Sequence, residues 1–139
     1  GNDNSVTDFT LALPKPGVIK NAKVIETSSV SKGSKESLAD LQISTQFLFD
    51  ETVDKKEPSW VLVDLQSPVI LNQLQFYKTL DARIDDIRIF GGLTKDSLKP
   101  ISSKKPFNYF VNVKPELVRY IKVEFNGFRV AIEDIFFLR

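Results

Sequence analysis

The sequence predicts an all-β chain, an antiparallel β-sandwich or barrel. Three observations carry this expectation. About eight short segments alternate apolar and polar residues with a period of two, turn signals separate them every ~8 to 15 residues, and almost nothing repeats at helical spacing. Successive strand side chains point to opposite faces, so such alternation marks a segment with one face buried.

In chain order, Phe9 to Leu13 alternates, and Pro14, Pro16 and Gly17 interrupt it before an extended pattern resumes over Ala22 to Thr27. Ser28 to Lys35 reads as a polar loop. Ser37-Leu38-Ala39-Asp40 has the spacing of a capping box, which satisfies free amides at a helix start, so one helical turn is expected before Ile43 to Phe49. Charged, proline-containing Asp50 to Ser59 reads as an exposed loop. From Trp60 the signal strengthens. Val61, Val63 and Leu65 share one face, and after the Ser67-Pro68 break Ile70, Leu74 and Phe76 form another strand. Ile84, Ile87 and Ile89 mark the next, which Gly91-Gly92 ends. The lysine-rich stretch Lys95 to Lys105, interrupted by Asp96, Pro100 and Pro106, reads as a solvated loop. Tyr109, Val111 and Val113 are expected on one face of Phe107 to Val113, and Ile121, Val123 and Phe125 on one face of Leu117 to Phe125. Asn126-Gly127 reads as a turn into a last strand, Val130 to Leu138. The eleven phenylalanines lie mostly at strand positions and are expected in the core.

Composition narrows the function. At 139 residues, 42% apolar and 27% charged, the chain is of one-domain size with a globular balance. Nineteen basic against 18 acidic side chains give a net charge of +1, so no broad field attracts nucleic acid or anionic lipid. No apolar run reaches the about 20 residues that cross a bilayer as a helix, and no membrane insertion is expected. Cysteine is absent, which excludes disulfides and thiolate chemistry. The chain opens on Gly1 and contains no methionine, so it is expected to be a processed or excised piece of a larger exported protein. Residues 1–8 read as a tag remnant and flexible tether, and 9–139 as a single domain.

Catalysis finds little support. Without histidine there is no Ser-His-Asp triad, no histidine-ligated zinc and no imidazole base. Two Ser-x-x-Lys strings, Ser29 to Lys32 and Ser102 to Lys105, lie in polar surroundings with no supporting motif. Asp85 with Asp86, and Glu133 with Asp134, are neighbours in sequence. On a strand such neighbours face opposite ways, which is poor geometry for flanking one glycosidic bond.

One ordered set of segments resembles the discoidin, or coagulation-factor type C, family: Trp60-Val61-Leu62-Val63-Asp64-Leu65, then Val69-Ile70-Leu71-Asn72-Gln73-Leu74, then Ile84-Asp85-Asp86-Ile87-Arg88-Ile89-Phe90. Val118-Arg119-Tyr120-Ile121-Lys122-Val123 is similar to the family's arginine-aromatic strand, and Ala131-Ile132-Glu133-Asp134-Ile135-Phe136 to its closing strand. The match spans roughly residues 45 to 139. It implies a galactose-binding-like jelly roll whose loops at one end hold a carbohydrate, a lipid head group or another protein.

By that resemblance the ligand loops are Lys78-Thr79-Leu80-Asp81-Ala82-Arg83 and Asn126-Gly127-Phe128-Arg129. Phe128 is the expected platform, with Arg83, Asp81, Asn126, Arg129 and Lys78 as polar contacts. An aromatic face suits the C–H surface of a sugar, and Arg, Asn and Asp give directional hydrogen bonds to hydroxyls. The alternative is a structural one, in which Phe128 plugs the end of the sandwich and Arg83 pairs with Asp85 or Asp86. The family's structural calcium would fall on Asp50 and Glu133, although in Glu51-Thr52-Val53-Asp54-Lys55 the usual glycine and the later hydroxyl position are replaced. No cofactor is required, and calcium remains an optional structural ion. The expected function is a non-catalytic, carbohydrate-binding module of an exported or cell-surface bacterial protein, monomeric and suited to adhesion. The alternative is a protein-interaction adaptor within a larger complex.

Overall fold

The computed structural model describes residues 17–28, 30–32, 47–49, 57–78, 80 and 82–139. The expected strand at Phe9 to Leu13, the capping box at Ser37 to Asp40 and the loop residues 50–56 lie outside them. Among the described residues the elements are all strands: β1 (Lys23–Thr27), β2 (Val30–Lys32), β3 (Phe47–Phe49), β4 (Ser59–Tyr77), β5 (Arg83–Gly92), β6 (Lys99–Pro106), β7 (Phe110–Arg129), β8 (Ala131–Ile132) and β9 (Asp134–Leu138).

Two long strands, β4 and β7, organise the whole. They pair with each other along their lengths, but their other neighbours change partway. Over residues 61–64 β4 is flanked by β1, and over 73–77 by β9. β7 likewise carries β5 along its second half, from Tyr120 to Arg129. The first half of β4 and second half of β7 therefore lie in the order β1-β4-β7-β5-β6, and the remaining halves form a three-stranded layer with β9. The two layers face each other. Phe76, in the second half of β4, meets Phe125, in the second half of β7, edge to face at 5.9 Å between ring centres. Both rings are fully buried, among Val61, Val63, Leu74, Ile87, Ile121, Val123 and Phe137. This is the antiparallel β-sandwich that the sequence predicts. A small sheet, β2-β3-β8, accompanies it.

The passage between layers is made at Asp64. Its carboxylate accepts the Gln66 N–H at 2.7 Å, a local turn that lets Gln66 take a φ of 74°. It also receives a two-pronged contact from Arg119, Nε to Oδ1 at 2.9 Å and Nη2 to Oδ2 at 3.2 Å. Ladder pairing breaks between Asp64 and Val69 at the same place. One ion pair thus fixes the corner of both long strands.

Several sequence expectations are corrected here. Ser67-Pro68 does not end a strand, and Phe107 to Val113 and Leu117 to Phe125 are not separate strands, because the ladder bends at the corner and continues. Ile70 does not share a face with Leu74 and Phe76. The ladder is irregular between Leu71↔Glu116 and Gln73↔Asn112, where β7 sets residues 113–115 against residue 72 of β4, and here Leu71 is buried while Ile70 is half-exposed. Tyr109 precedes β7 and is 40% exposed, while Val111 and Val113 are buried. Part of the polar loop at Ser28 to Lys35 forms β2. The lysine-rich stretch contributes β6, which among the described residues is an edge strand pairing with β5 alone. An edge tolerates Pro100 and Pro106, which cannot donate to a second neighbour, and its lysines oppose pairing with other chains.

The corner has a measurable pH signature. The Arg119 hydrogen bond, with help from the Gln66 amide, holds the Asp64 carboxyl below its ordinary value of 3.8 despite partial burial. The native state then binds fewer protons than the unfolded chain near that pH. This stabilisation is complete above about pH 5 and disappears as pH falls through the lowered native value. Thermal melts of Asp64→Asn at pH 7 should show a Tm a few degrees below wild type, and the gap should close as the melts are repeated toward pH 3.

Candidate functional site

Opposite the corner, the long strands end together. Tyr77 ends β4, Phe110 begins β7, Arg129 ends it, Arg83 begins β5 and Asp134 begins β9, so the connections between these strands gather at one tip of the sandwich.

At one side of the tip, Lys78 reaches back over its own loop. Its ammonium donates to the Ala82 carbonyl at 3.2 Å and stands 5.8 Å and 5.6 Å from the ring centres of Phe107 and Tyr109. Those two rings meet edge to face at 5.5 Å, and Phe107 also packs against core Phe76 at 5.8 Å. Backbone bonds from the Phe107 N–H to the Asp85 carbonyl and from the Phe76 N–H to the Tyr109 carbonyl secure this link to β5 and β4. Lys78 thus braces the loop that presents Arg83.

The other side is built by β5 and β7. Arg83 stands directly opposite Arg129 in register, and residues so placed share a face. Arg83 is exposed, Arg129 is half-buried, and Phe128 beside them is 78% exposed. Among the described residues Arg83 forms no ion pair with Asp85 or Asp86. Asp86 instead accepts a hydrogen bond from Asn126 Nδ2 at 2.8 Å, which assigns Asn126 a bracing role inside the protein. Asn126-Gly127 is not the expected turn, since β7 runs through it to Arg129. Glycine is required for closeness, because a Cβ at residue 127 would overlap the Arg83 carbonyl oxygen and the Ile84 Cα. Phe128 is therefore carried by a paired strand and extends into solvent.

Asp81 and Asp50 lie outside the described residues. Glu133 is half-buried between β8 and β9, and its N–H donates to the Tyr77 carbonyl at 2.7 Å. Among the described residues no three acidic side chains gather as a metal-binding group, so Glu133 by itself does not make a calcium site. Sequence reasoning missed Phe107 and Tyr109 as tip residues, and within the expected loop it passed over Leu80, which is 95% exposed. The dense run Phe107-Asn108-Tyr109-Phe110 directly after Pro106 was the available signal.

No protein-family model and no curated protein matches the sequence. Solved structures do. A CBM32-3 module from a family 31 glycoside hydrolase of Clostridium perfringens superposes with a TM-score of 0.76 at 11% identity, covering 86% of this chain and 92% of that one. The CBM32-5 module of CpGH89 from the same organism, solved in complex with GalNAc-β-1,3-galactose, gives a TM-score of 0.76 at 11% identity over 88% and 99% of the two chains. The family 32 module of C. perfringens NanJ, in complex with galactose, gives 0.72 at 13% over 88% and 98%.

The chain has the fold of these carbohydrate-binding modules. That is the galactose-binding-like sandwich which the sequence resemblance implies. At such identities the likeness establishes architecture, while the tip residues are this chain's own.

The close approach at Gly127 gives a direct test. Gly127→Ala should force β5 and β7 apart at the tip and destabilise the protein by about 1–3 kcal/mol in urea unfolding.

Proposed function

We propose that this chain is a non-catalytic carbohydrate-binding module that takes its ligand at the tip formed by Phe128, Arg83 and Arg129. The observation that carries this reading is Phe128 itself, a large apolar ring held 78% exposed on a paired strand beside an exposed arginine. Exposing a phenylalanine has a solvation cost that a purely structural plug would avoid by turning inward. A ring covering the C–H face of a sugar, with guanidinium donors reaching its hydroxyls, explains the placement. Solved modules of the same fold hold galactose and GalNAc-β-1,3-galactose, which supports the ligand class.

Binding needs no bond to change. The tip offers shape, an aromatic surface and hydrogen-bond donors, and recognition follows without a metal or cofactor. In this reading the module belongs to a larger, exported bacterial protein and directs that protein to glycans. A structural calcium on Asp50 and Glu133 would stiffen the frame and take no part in the contact.

Glycan-array screening followed by calorimetry should detect a ligand for the wild type. Phe128→Ala should weaken it by about 10-fold, the loss of one stacked ring and its buried area, and Arg83→Ala should weaken it comparably. Silence of the wild type across a diverse array would overturn the reading. A stoichiometric protein partner that survives excess mixed sugars would establish the adaptor function instead.

A further inference from the structure

The outer face of the three-stranded layer carries a second chemical pattern, separate from the tip. Register places Phe110, Gln75 and Phe136 in one row across β7, β4 and β9, and Asn112, Gln73 and Leu138 in the next. Inward neighbours Val111, Leu74, Ile135 and Phe137 are buried in the core, so these two rows point away from it. Neither row contains a charged side chain, in a protein where 27% of residues are charged.

The amides form a ladder. Gln75 Nε2 donates to Gln73 Oε1 at 3.0 Å, and Gln73 Nε2 donates to Asn112 Oδ1 at 3.0 Å. Each link fixes the orientation of the next, and the free ends of the ladder are the Gln75 carbonyl and the Asn112 amide, which have no partner among the described residues. Gln75 is only 6% exposed. Phe110 on one side is 56% exposed, and Phe136 on the other is braced by Tyr77 at 5.1 Å between ring centres.

We infer that this face is a second binding site, for a neutral polysaccharide. The two phenylalanines are separated by two strand spacings, about 9.5 Å, which is the span of two linked sugar rings. Rings at both ends of such a unit cover its C–H surfaces, and the ladder orients its exposed end, the Asn112 amide in the adjoining row, toward the hydroxyls. These two rows hold no charge, so a neutral chain lying along them desolvates none on binding. The sheet supplies the rigidity that makes such contacts inexpensive in conformational entropy.

Native gel electrophoresis through hydroxyethylcellulose and through galactomannan tests the inference. The wild type should be retarded by at least one of the two. Phe110→Ala should weaken retardation by about 5- to 10-fold, and Asn112→Ala should weaken it as well, with both variants melting cooperatively near the wild-type Tm. Phe128→Ala should migrate with wild-type retardation, because its ring belongs to the tip. Absence of retardation in both polysaccharides overturns the inference. So does abolition by Phe128→Ala, which would place the polysaccharide at the tip. A wild-type dimer in sedimentation that Phe110→Ala converts to monomer, with no retardation of either, would make the face a self-association surface.

Discussion

The Asp64–Arg119 pair is the interaction on which the remaining structure depends. β4 and β7 each serve in both layers, so one error in their alignment would propagate through the whole sandwich. Side chains alternate with a period of two, and a slip of one residue would exchange core and surface along an entire strand. The pair sits where that slip is easiest, at the interrupted ladder between Asp64 and Val69. The Asp64 carboxylate is largely shielded from water and accepts three hydrogen bonds, from Arg119 twice and from the Gln66 amide. Removing Arg119 leaves the shielded Asp64 carboxylate without its main partner, whereas the more exposed Arg119 can fall back on water, an asymmetry that puts the constraint on Asp64.

The corner also decides what the tip presents. With β4 and β7 in register, Phe125 enters the core and Phe128 leaves the protein three residues later, across the close approach at Gly127. In the same way Val111 is buried and Phe110 is exposed. The tip and the amide-bearing face are therefore two results of one alignment.

Much of this was legible in the sequence because burial writes itself into period-two alternation. Val61, Val63, Leu65, Ile121, Val123 and Phe125 were expected on shared faces, and all are buried. What alternation cannot encode is a break in the pairing register. The shift between Leu71 and Gln73 reverses the meaning of position 70, and nothing local marks it. Ser67-Pro68 and Asn126-Gly127 are strong turn signals, yet one sits at a bend within a continuous strand and the other serves backbone proximity. The signal was genuine in both cases, but its cause was tertiary. β6 escaped notice for a related reason: prolines and lysines argue against a central strand, and an edge strand obeys different rules. At the tip, residue types suggested Phe128 and Arg83 correctly as surface groups. They could not show that Lys78 would turn back onto Phe107 and Tyr109, since cation–ring contacts join residues far apart in the chain.

The two surfaces proposed for ligands are contiguous through the chain. Tyr77 of the sheet face is followed by Lys78 of the tip, and Tyr109 of the tip by Phe110 of the face. Both junctions lie where the three-stranded layer ends, so a polysaccharide leaving one surface meets the other without crossing a charged outer sheet. Two sites on one rigid body act as a single stronger one only for a ligand that carries both a tip sugar and a neutral chain, because the second contact then forms at high effective concentration; a chain without the tip sugar is held by the face alone. Their chemistries divide the task. As proposed, the arginines of the tip would select a particular terminal or branching sugar by directional donors, while the neutral face would accept a repeating chain through stacking and amides. A frame held by one corner and stiff along both strands is what allows that division, since flexibility between the surfaces would dissipate the advantage of holding them together.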